Sequence, residues 1–262
     1  MDPKARADVD LAEHVQALLG RQQSLSTALR VPMVTTVSKG DGMYSGDSEY
    51  YLQAGASALS LLFQSLEAAG TRRADVGAVL DYACGFGRVT RWLAACFPGM
   101  VHAADLDPSA VDAVGKLIGV PTTHIAKDLS VRLLGSYDLI WVGSLLTHLN
   151  EADIVEVLRY LGGHLTSRGL LVVTTHGPYV AERLRSREKT YNLEETAVAA
   201  LVERYDAQGS AFAAYRGMTD YGISLTRPHR LATMAFDAGL DTVYFKARGW
   251  VKHQDCFCLR KT

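Results

Sequence analysis

Val79-Leu80-Asp81-Tyr82-Ala83-Cys84-Gly85-Phe86-Gly87-Arg88-Val89-Thr90-Arg91-Trp92-Leu93 is the stretch on which the rest of the chain turns. Ala78 to Leu80 is a short apolar run of the kind a buried strand needs. Two glycines follow with one residue between them. From Phe86 the spacing becomes helical, with Val89, Trp92, Leu93 and Cys96 on one face, and Pro98-Gly99 ends the pattern. The stretch predicts strand, tight glycine turn, helix. Glycine allows the backbone to bend sharply and to approach a ligand closely, because no Cβ intervenes. The helix start presents unpaired N–H groups to whatever lies above the turn.

Working outward, the same alternation recurs. Met100 to Asp105 is a second short strand ending in a carboxylate, and Asp105 lies 18 positions past Gly87 (105 minus 87). A carboxylate about 20 residues past such a turn is placed to accept hydrogen bonds from the ribose hydroxyls of an adenosine ligand. Pro108 opens a helix at a first-turn position. Thr122 to Ala126 is a third strand and Tyr137 to Gly143 a fourth, after which Asn150 caps a helix from Glu151 to Leu165. Leu170 to Thr175 is the fifth. A helix opened by Thr226 and Pro228 ends at Gly239, and Thr242 to Phe245 is the sixth strand. Cys256 to Leu259 follows after a connection too short for a crossover, so it is antiparallel. Apolar strands alternating with helices predict an α/β parallel sheet wound on both faces. In such sheets ligands bind outside the carboxyl ends of the strands, at the switch in strand order. Asp81, Gly85, Asp105, Asp128, Ser144, His148 and His176 all fall at or just beyond such ends.

A dinucleotide would ask for a third glycine where Thr90 stands. The stretch instead resembles the first motif of class I S-adenosylmethionine-dependent methyltransferases. Asp81 is its acidic residue, Gly85 and Gly87 its second and third glycines, and Ala83 replaces the first. "YDLIWVGSLLTHL" (137–149) resembles the family's fourth motif, and "LTSRGLLVVTTHG" (165–177) its strand-five region. A similar "GW…HQD" ending occurs in bacterial methyltransferases. The resemblance runs from about Ala78 to Thr262. It implies a doubly wound, mostly parallel seven-stranded sheet with an antiparallel last strand, and S-adenosylmethionine as cofactor with S-adenosylhomocysteine as product. It implies cofactor contacts at Asp81, Ala83, Cys84, Gly85 and Gly87, at Asp105 and Leu106, at Asp128 and Leu129, and at Ser144. Asp128 reads equally well as a turn cap. The expected organisation is an N-terminal helical segment over 1–75 and a cofactor-binding domain over 76–262 with an insertion over about 177–226.

On the acceptor side, histidine is the natural base near neutral pH. His148, His176 and His253 follow the fourth, fifth and sixth strands and are the catalytic candidates. Asp255, two residues from His253 on a strand, would share its face and could orient the imidazole. Tyr44, Tyr51, Tyr221, Gln254 and Asp255 are the substrate-side candidates. Tyr44 and Tyr51, with Gly40, Gly42 and Gly46 nearby, read either as packing of the N-terminal segment or as a lid over a ligand. No Asn-Pro-Pro-Tyr run follows the fourth strand, which tilts the expectation to oxygen or carbon acceptors of small-molecule or glycan type.

Lys plus Arg (27) nearly balance Asp plus Glu (28), which removes the electrostatic case for nucleic acid. Met1-Asp2-Pro3-Lys4 lacks the apolar core of a signal peptide, and no run reaches membrane-span length. The four cysteines match no zinc spacing, so no metal is expected, and free thiols point to the cytoplasm. A homodimer is left open. Two other classes compete: an NAD-dependent oxidoreductase on a similar sheet, and a non-catalytic methyltransferase-like binding subunit.

Overall fold

A computed structural model describes residues 7–262, so the signal-peptide reading at Met1–Lys4 lies outside the described residues. Seven strands form one sheet: β1 (Val79–Tyr82), β2 (Val101–Asp105), β3 (Thr122–His124), β4 (Tyr137–Val142), β5 (Leu165–Thr175), β6 (Leu240–Trp250) and β7 (Gln254–Lys261). Their order is β6-β7-β5-β4-β1-β2-β3. β1 to β5 run parallel, and β7 is antiparallel to both of its neighbours, as the short connection requires. The order reverses at β1, which pairs with β4 on one side and β2 on the other. That reversal is the switch point where such sheets open a crevice.

Among the described residues, eight helices of seven residues or more accompany the sheet, besides a short one at Gln23–Ser26: α1 (Ala12–Arg21), α2 (Ser48–Ala68), α3 (Thr90–Cys96), α4 (Pro108–Leu117), α5 (Glu151–Gly163), α6 (Pro178–Arg185), α7 (Glu195–Gln208) and α8 (Pro228–Asp237). Strand residues alternate between two cores, as the pleat dictates. Val79, Leu139, Val172 and Trp250 pack with Leu52, Leu59, Leu62 and Trp92 of α2 and α3. Leu80, Ile140, Leu171 and Phe257 pack with Ile154, Leu158, Leu231 and Met234 of α5 and α8. Caps fall where side-chain chemistry places them. Asp47 accepts from Tyr50 N at 2.9 Å and starts α2, a contact worth about 1 kcal/mol. Asn150 accepts from Asp153 N and starts α5. Arg227 rather than Thr226 stands at the start of α8. α3 begins at Thr90, four residues later than the spacing suggests, because Gly85 and Gly87 hold positive φ and the chain turns through them first.

The insertion is a packed unit with its own core. Val180, Leu184, Leu193, Leu201, Tyr205 and Ile223 bury one another. An antiparallel hairpin, Ser210–Ala214 with Gly222–Thr226, closes it. Lys127 pairs with Asp220 at 3.0 Å, and Thr226 N donates to His176 O at 2.8 Å, so the hairpin lies across the carboxyl edge of β3 and β5.

The N-terminal segment is fastened to the glycine turn through Arg91, which is 1 % exposed. Its guanidinium donates to the carbonyls of Gly87, Val34 and Thr36 at 3.1, 3.0 and 2.9 Å, and to Tyr51 Oη at 3.4 Å. Tyr51 in turn donates to Asp41 Oδ2 at 2.7 Å. A buried guanidinium is tolerated because carbonyl oxygens and a nearby carboxylate compensate it. Arg91→Met is expected to lower the unfolding free energy by about 1.5–3 kcal/mol, the usual loss for hydrogen bonds to a charged group. Urea denaturation measures it, and an unchanged midpoint would mean that the segment is held by its apolar contacts alone.

Candidate active site

The glycine turn lies at the carboxyl end of β1. Ala83 (φ 59°), Gly85 (φ 53°) and Gly87 (φ 83°) all occupy the left-handed region. The conformation explains why glycine suits the position of Ala83, where a Cβ is strained. A Cβ built on Gly85 would meet nothing within 4 Å, so that side of the turn is open. One built on Gly87 would stand 3.1 Å from Val114 Cγ2 and nearer still to Ile118. The first glycine therefore faces open space and the second faces the packing of α4.

Asp81 is buried beneath the turn and accepts from Thr90 Oγ1 at 2.6 Å. Burial raises its pKa to about 7, with the Asp105 charge adding to the rise and the Thr90 hydrogen bond opposing it. It braces the start of α3 from below. Asp105, at the end of β2, is half-buried and accepts from Gly85 N at 2.7 Å and from Asp107 N at 2.9 Å. Two separate parts of the predicted site are thus in direct contact. Leu106, beside it, is 43 % exposed. Cys84 is buried, which pushes its thiol up, so it stays neutral. Asp128 is exposed and caps its own turn, accepting from Ser130 N at 3.1 Å and Ser130 Oγ at 2.6 Å. Those bonds hold its carboxyl below the usual range. Leu129 (φ 56°) and Ser144 (φ 63°) repeat at the ends of β3 and β4 the strain seen at Ala83. Such strain collects where surrounding structure must hold a ligand-facing backbone.

Beyond β4 and β5 a closed ring of hydrogen bonds joins three strand ends. Ser144 N donates to Thr174 Oγ1 (2.8 Å), Thr174 Oγ1 to Gln254 Oε1 (2.6 Å), and Gln254 Nε2 to Ser144 Oγ (2.7 Å). Both ends of the Gln254 amide are occupied and the residue is buried, which corrects its reading as a substrate contact. Tyr51 needs the same correction. It is 1 % exposed with its hydroxyl on Asp41, and burial raises its pKa. Tyr44 packs edge-on against Tyr51 at 5.6 Å and bonds Ser48 Oγ.

The three histidines differ sharply. His148 Nδ1 lies 2.7 Å from Gly222 O. A carbonyl only accepts, so Nδ1 carries the proton and the lone pair of the neutral ring is on Nε2. The ring stacks on Tyr221 at 4.7 Å, with Tyr215 at 6.1 Å. Tyr221 is 38 % exposed. His176 is buried at 4 % exposure with Nδ1 unpartnered, and burial, with His253 and His148 beside it, lowers its pKa to about 3. His253 Nδ1 faces Arg183 Nη1 at 3.5 Å and its Nε2 faces Tyr191 Oη at 3.2 Å. Burial and the charges of Arg183, Lys189 and Arg248 lower its pKa to about 4. Its lone pair is turned to a guanidinium, which suits it poorly to be a base. Asp255 does not orient it. The carboxylate is 1 % exposed, takes Arg248 N at 2.7 Å on Oδ1, and leaves Oδ2 unpartnered. The expected pairing fails because Val251 and Lys252 adopt positive φ and turn His253 away from the strand that carries Asp255. A buried Asp255 is no substrate contact either.

Sequence reasoning missed Thr174, Tyr215, Tyr179, Tyr191, Arg183 and Arg248. Five of them sit in the insertion or the β6–β7 connection or at their edges, and the charged, aromatic run Arg183 to Tyr191 was the available signal.

Residues 79–169 match the model of a methyltransferase domain. An N-terminal Xaa-Pro-Lys N-methyltransferase from Danio rerio is 26 % identical over 116 residues, 42 % of this chain, and the chain spans about half (52 %) of that relative. Among solved structures, a sugar N-methyltransferase from a Streptoalloteichus species superposes with TM-score 0.57 at 16 % identity, covering 84 % of this chain and 92 % of its own. An amino pentose methyltransferase from Micromonospora echinaspora, solved with S-adenosylmethionine bound, gives 0.54 at 17 % identity, covering 80 % and 92 %. DesVI of Streptomyces venezuelae gives 0.56 at 14 %, covering 80 % and 93 %.

Proposed function

We propose that the chain, whose residues 79–169 match a methyltransferase domain and whose fold is that of S-adenosylmethionine-dependent methyltransferases, transfers a methyl group from S-adenosylmethionine to a small-molecule or glycan-type acceptor, with oxygen or carbon favoured over nitrogen. The observation that carries this reading is the meeting of Asp105 with the open side of Gly85 at the sheet's switch point, with His148 beyond the next strand. These residues fit the cofactor. The space over Gly85 admits a ligand close to backbone, and the Asp105 carboxylate is the acceptor that ribose hydroxyls require. Asp128 and Leu129 would border the adenine end, and Ser144 the end nearest the acceptor. When bound, the cofactor supplies a sulfonium-activated methyl group. The chain holds the acceptor in place, excludes water and takes its proton. His148 takes that proton on Nε2, and Tyr221 lies against the acceptor. Among the described residues no helix is long and apolar enough to cross a membrane. Four buried free thiols support a cytoplasmic place for the chain.

The test is formation of S-adenosylhomocysteine when the protein meets S-adenosylmethionine and a panel of hydroxyl, amine and carbon acceptors. Turnover on amines alone would move the acceptor atom to nitrogen. Thermal stabilisation by NADH but not by S-adenosylmethionine would overturn the reading. Asp105→Ala is expected to weaken S-adenosylmethionine binding by about 1–3 kcal/mol, the loss of charge-assisted hydrogen bonds. Unchanged affinity by calorimetry, with the fold intact, would assign the ribose to another group.

A further inference from the structure

A second constellation lies beside the histidines, on α6, the segment after it, and the β6–β7 connection. Three cations surround His253, Arg183 in direct contact with its ring and Arg248 and Lys189 each across one tyrosine ring. Arg183 Nη1 reaches His253 Nδ1 at 3.5 Å and its guanidinium lies 5.7 Å over Tyr179. The Arg248 guanidinium stacks 3.8 Å over the same Tyr179 ring, which packs edge-on against His253 at 5.8 Å. Lys189 Nζ lies 5.0 Å over Tyr191, whose hydroxyl meets His253 Nε2. Two carboxylates stand nearby. Glu188 pairs with Arg183 at 2.8 Å from the outside, and Asp255 lies buried beneath, its Oδ1 on Arg248 N. Arg248 and Lys189 have no ion-pair partner among the described residues, and Arg183 Nε is buried without a hydrogen bond. Donors here exceed acceptors, in a wall of tyrosine and histidine rings.

The backbone around this wall is strained as well. Arg187, Tyr191, Asn192, Arg248, Val251 and Lys252 all have positive φ. Strain of this kind persists only where neighbouring structure over-determines it, and it gathers at ligand clamps. The place is continuous with the proposed methyl-transfer edge. His176, at the end of β5, lies 5.6 Å from His253, ring to ring.

We infer that this cluster binds an oxyanion carried by the acceptor, a phosphoryl or carboxylate group, through Arg183, Lys189 and Arg248 with Tyr179 and Tyr191 as its walls. The inference rests on the proposed methyl transfer for the word acceptor, but the site itself does not. A planar guanidinium fixed by stacking presents parallel N–H groups to two oxygens at once, and little side-chain freedom is lost on binding. An acceptor anchored here would be held at a distance from the methylated atom, which presents that atom to His148.

The experiment titrates inorganic phosphate, and separately benzoate, into the full chain and follows the His253 ring signals by NMR with calorimetry in parallel. Saturable binding that shifts His253 is expected for one of the two. Phosphate would mark a phosphoryl acceptor and benzoate a carboxylate. Arg248→Ala and Lys189→Ala, both exposed side chains, should each weaken it roughly fivefold or more, whereas Asp105→Ala should leave it unchanged. No saturable shift with either probe, or binding indifferent to both cation variants, overturns the inference. S-adenosylmethionine binding is measured on the same samples. A chain that binds S-adenosylmethionine but neither anion loses this site and keeps the proposed reaction, and the converse result does the opposite.

Discussion

Gly85→Val is expected to abolish binding of S-adenosylhomocysteine while the circular dichroism spectrum stays that of the folded protein. Gly85 holds φ 53°, which a β-branched residue adopts only under strain, at about 1–2 kcal/mol. Apart from its chain neighbours, no described residue comes within 4 Å of the added Cβ, so the surrounding fold has room for it. On the proposed reading, that room is the space the cofactor takes. Valine there fills the cradle and disturbs the turn whose amide binds Asp105 at 2.7 Å. The neighbouring glycine provides the contrast. Gly87→Ala would press on Val114 and Ile118 and so act first on the packing of α4. Calorimetry with S-adenosylhomocysteine and a thermal melt separate the two effects. Normal affinity in Gly85→Val would remove this turn from the site.

The difference between these glycines was not legible in the sequence, although the turn was. β1, β2, β4 and β5 read directly because a parallel strand covered on both faces is a largely apolar run, and Leu139-Ile140-Trp141-Val142 feeds two cores by simple alternation, whereas β3, Thr122–His124, is a polar edge strand. β7 was legible from a short connection. What failed depends on contacts between distant residues. Gln254 and Tyr51 carry polar groups, and a polar residue near a strand end suggests a site. Only the partners, Thr174 and Ser144 for one and Asp41 for the other, turn them into internal braces. The pairing of His253 with Asp255 assumed an extended chain, and positive φ at Val251 and Lys252 breaks that assumption. The insertion hides its core because Leu184, Leu201 and Ile223 come from three elements with no common period.

His148→Ala is expected to lower turnover on the order of 10²–10⁴-fold, the usual contribution of a positioned base, with S-adenosylmethionine affinity unchanged. Its geometry separates it from the other two candidates. The Nδ1 proton is committed to Gly222 O, so Nε2 holds the lone pair, while Tyr221 stacks on the ring and fixes its plane. Burial lowers its pKa, and the Gly222 hydrogen bond only partly opposes that, so the neutral form prevails at neutral pH. A base works when deprotonated. A lowered pKa therefore keeps kcat/KM high as pH falls, and the acidic limb should lie below about 6.5, the ordinary histidine value. His176 is enclosed, and the lone pair of His253 faces Arg183. Alanine also removes the bond to Gly222 and loosens the hairpin. His148→Asn is the companion variant, since its amide can still donate to that carbonyl but has no basic nitrogen. Both variants should lose turnover, and the acidic limb should vanish in both. Near-normal turnover with the limb intact would show that the acceptor arrives ionised or gives its proton to water, and that the chain contributes proximity alone.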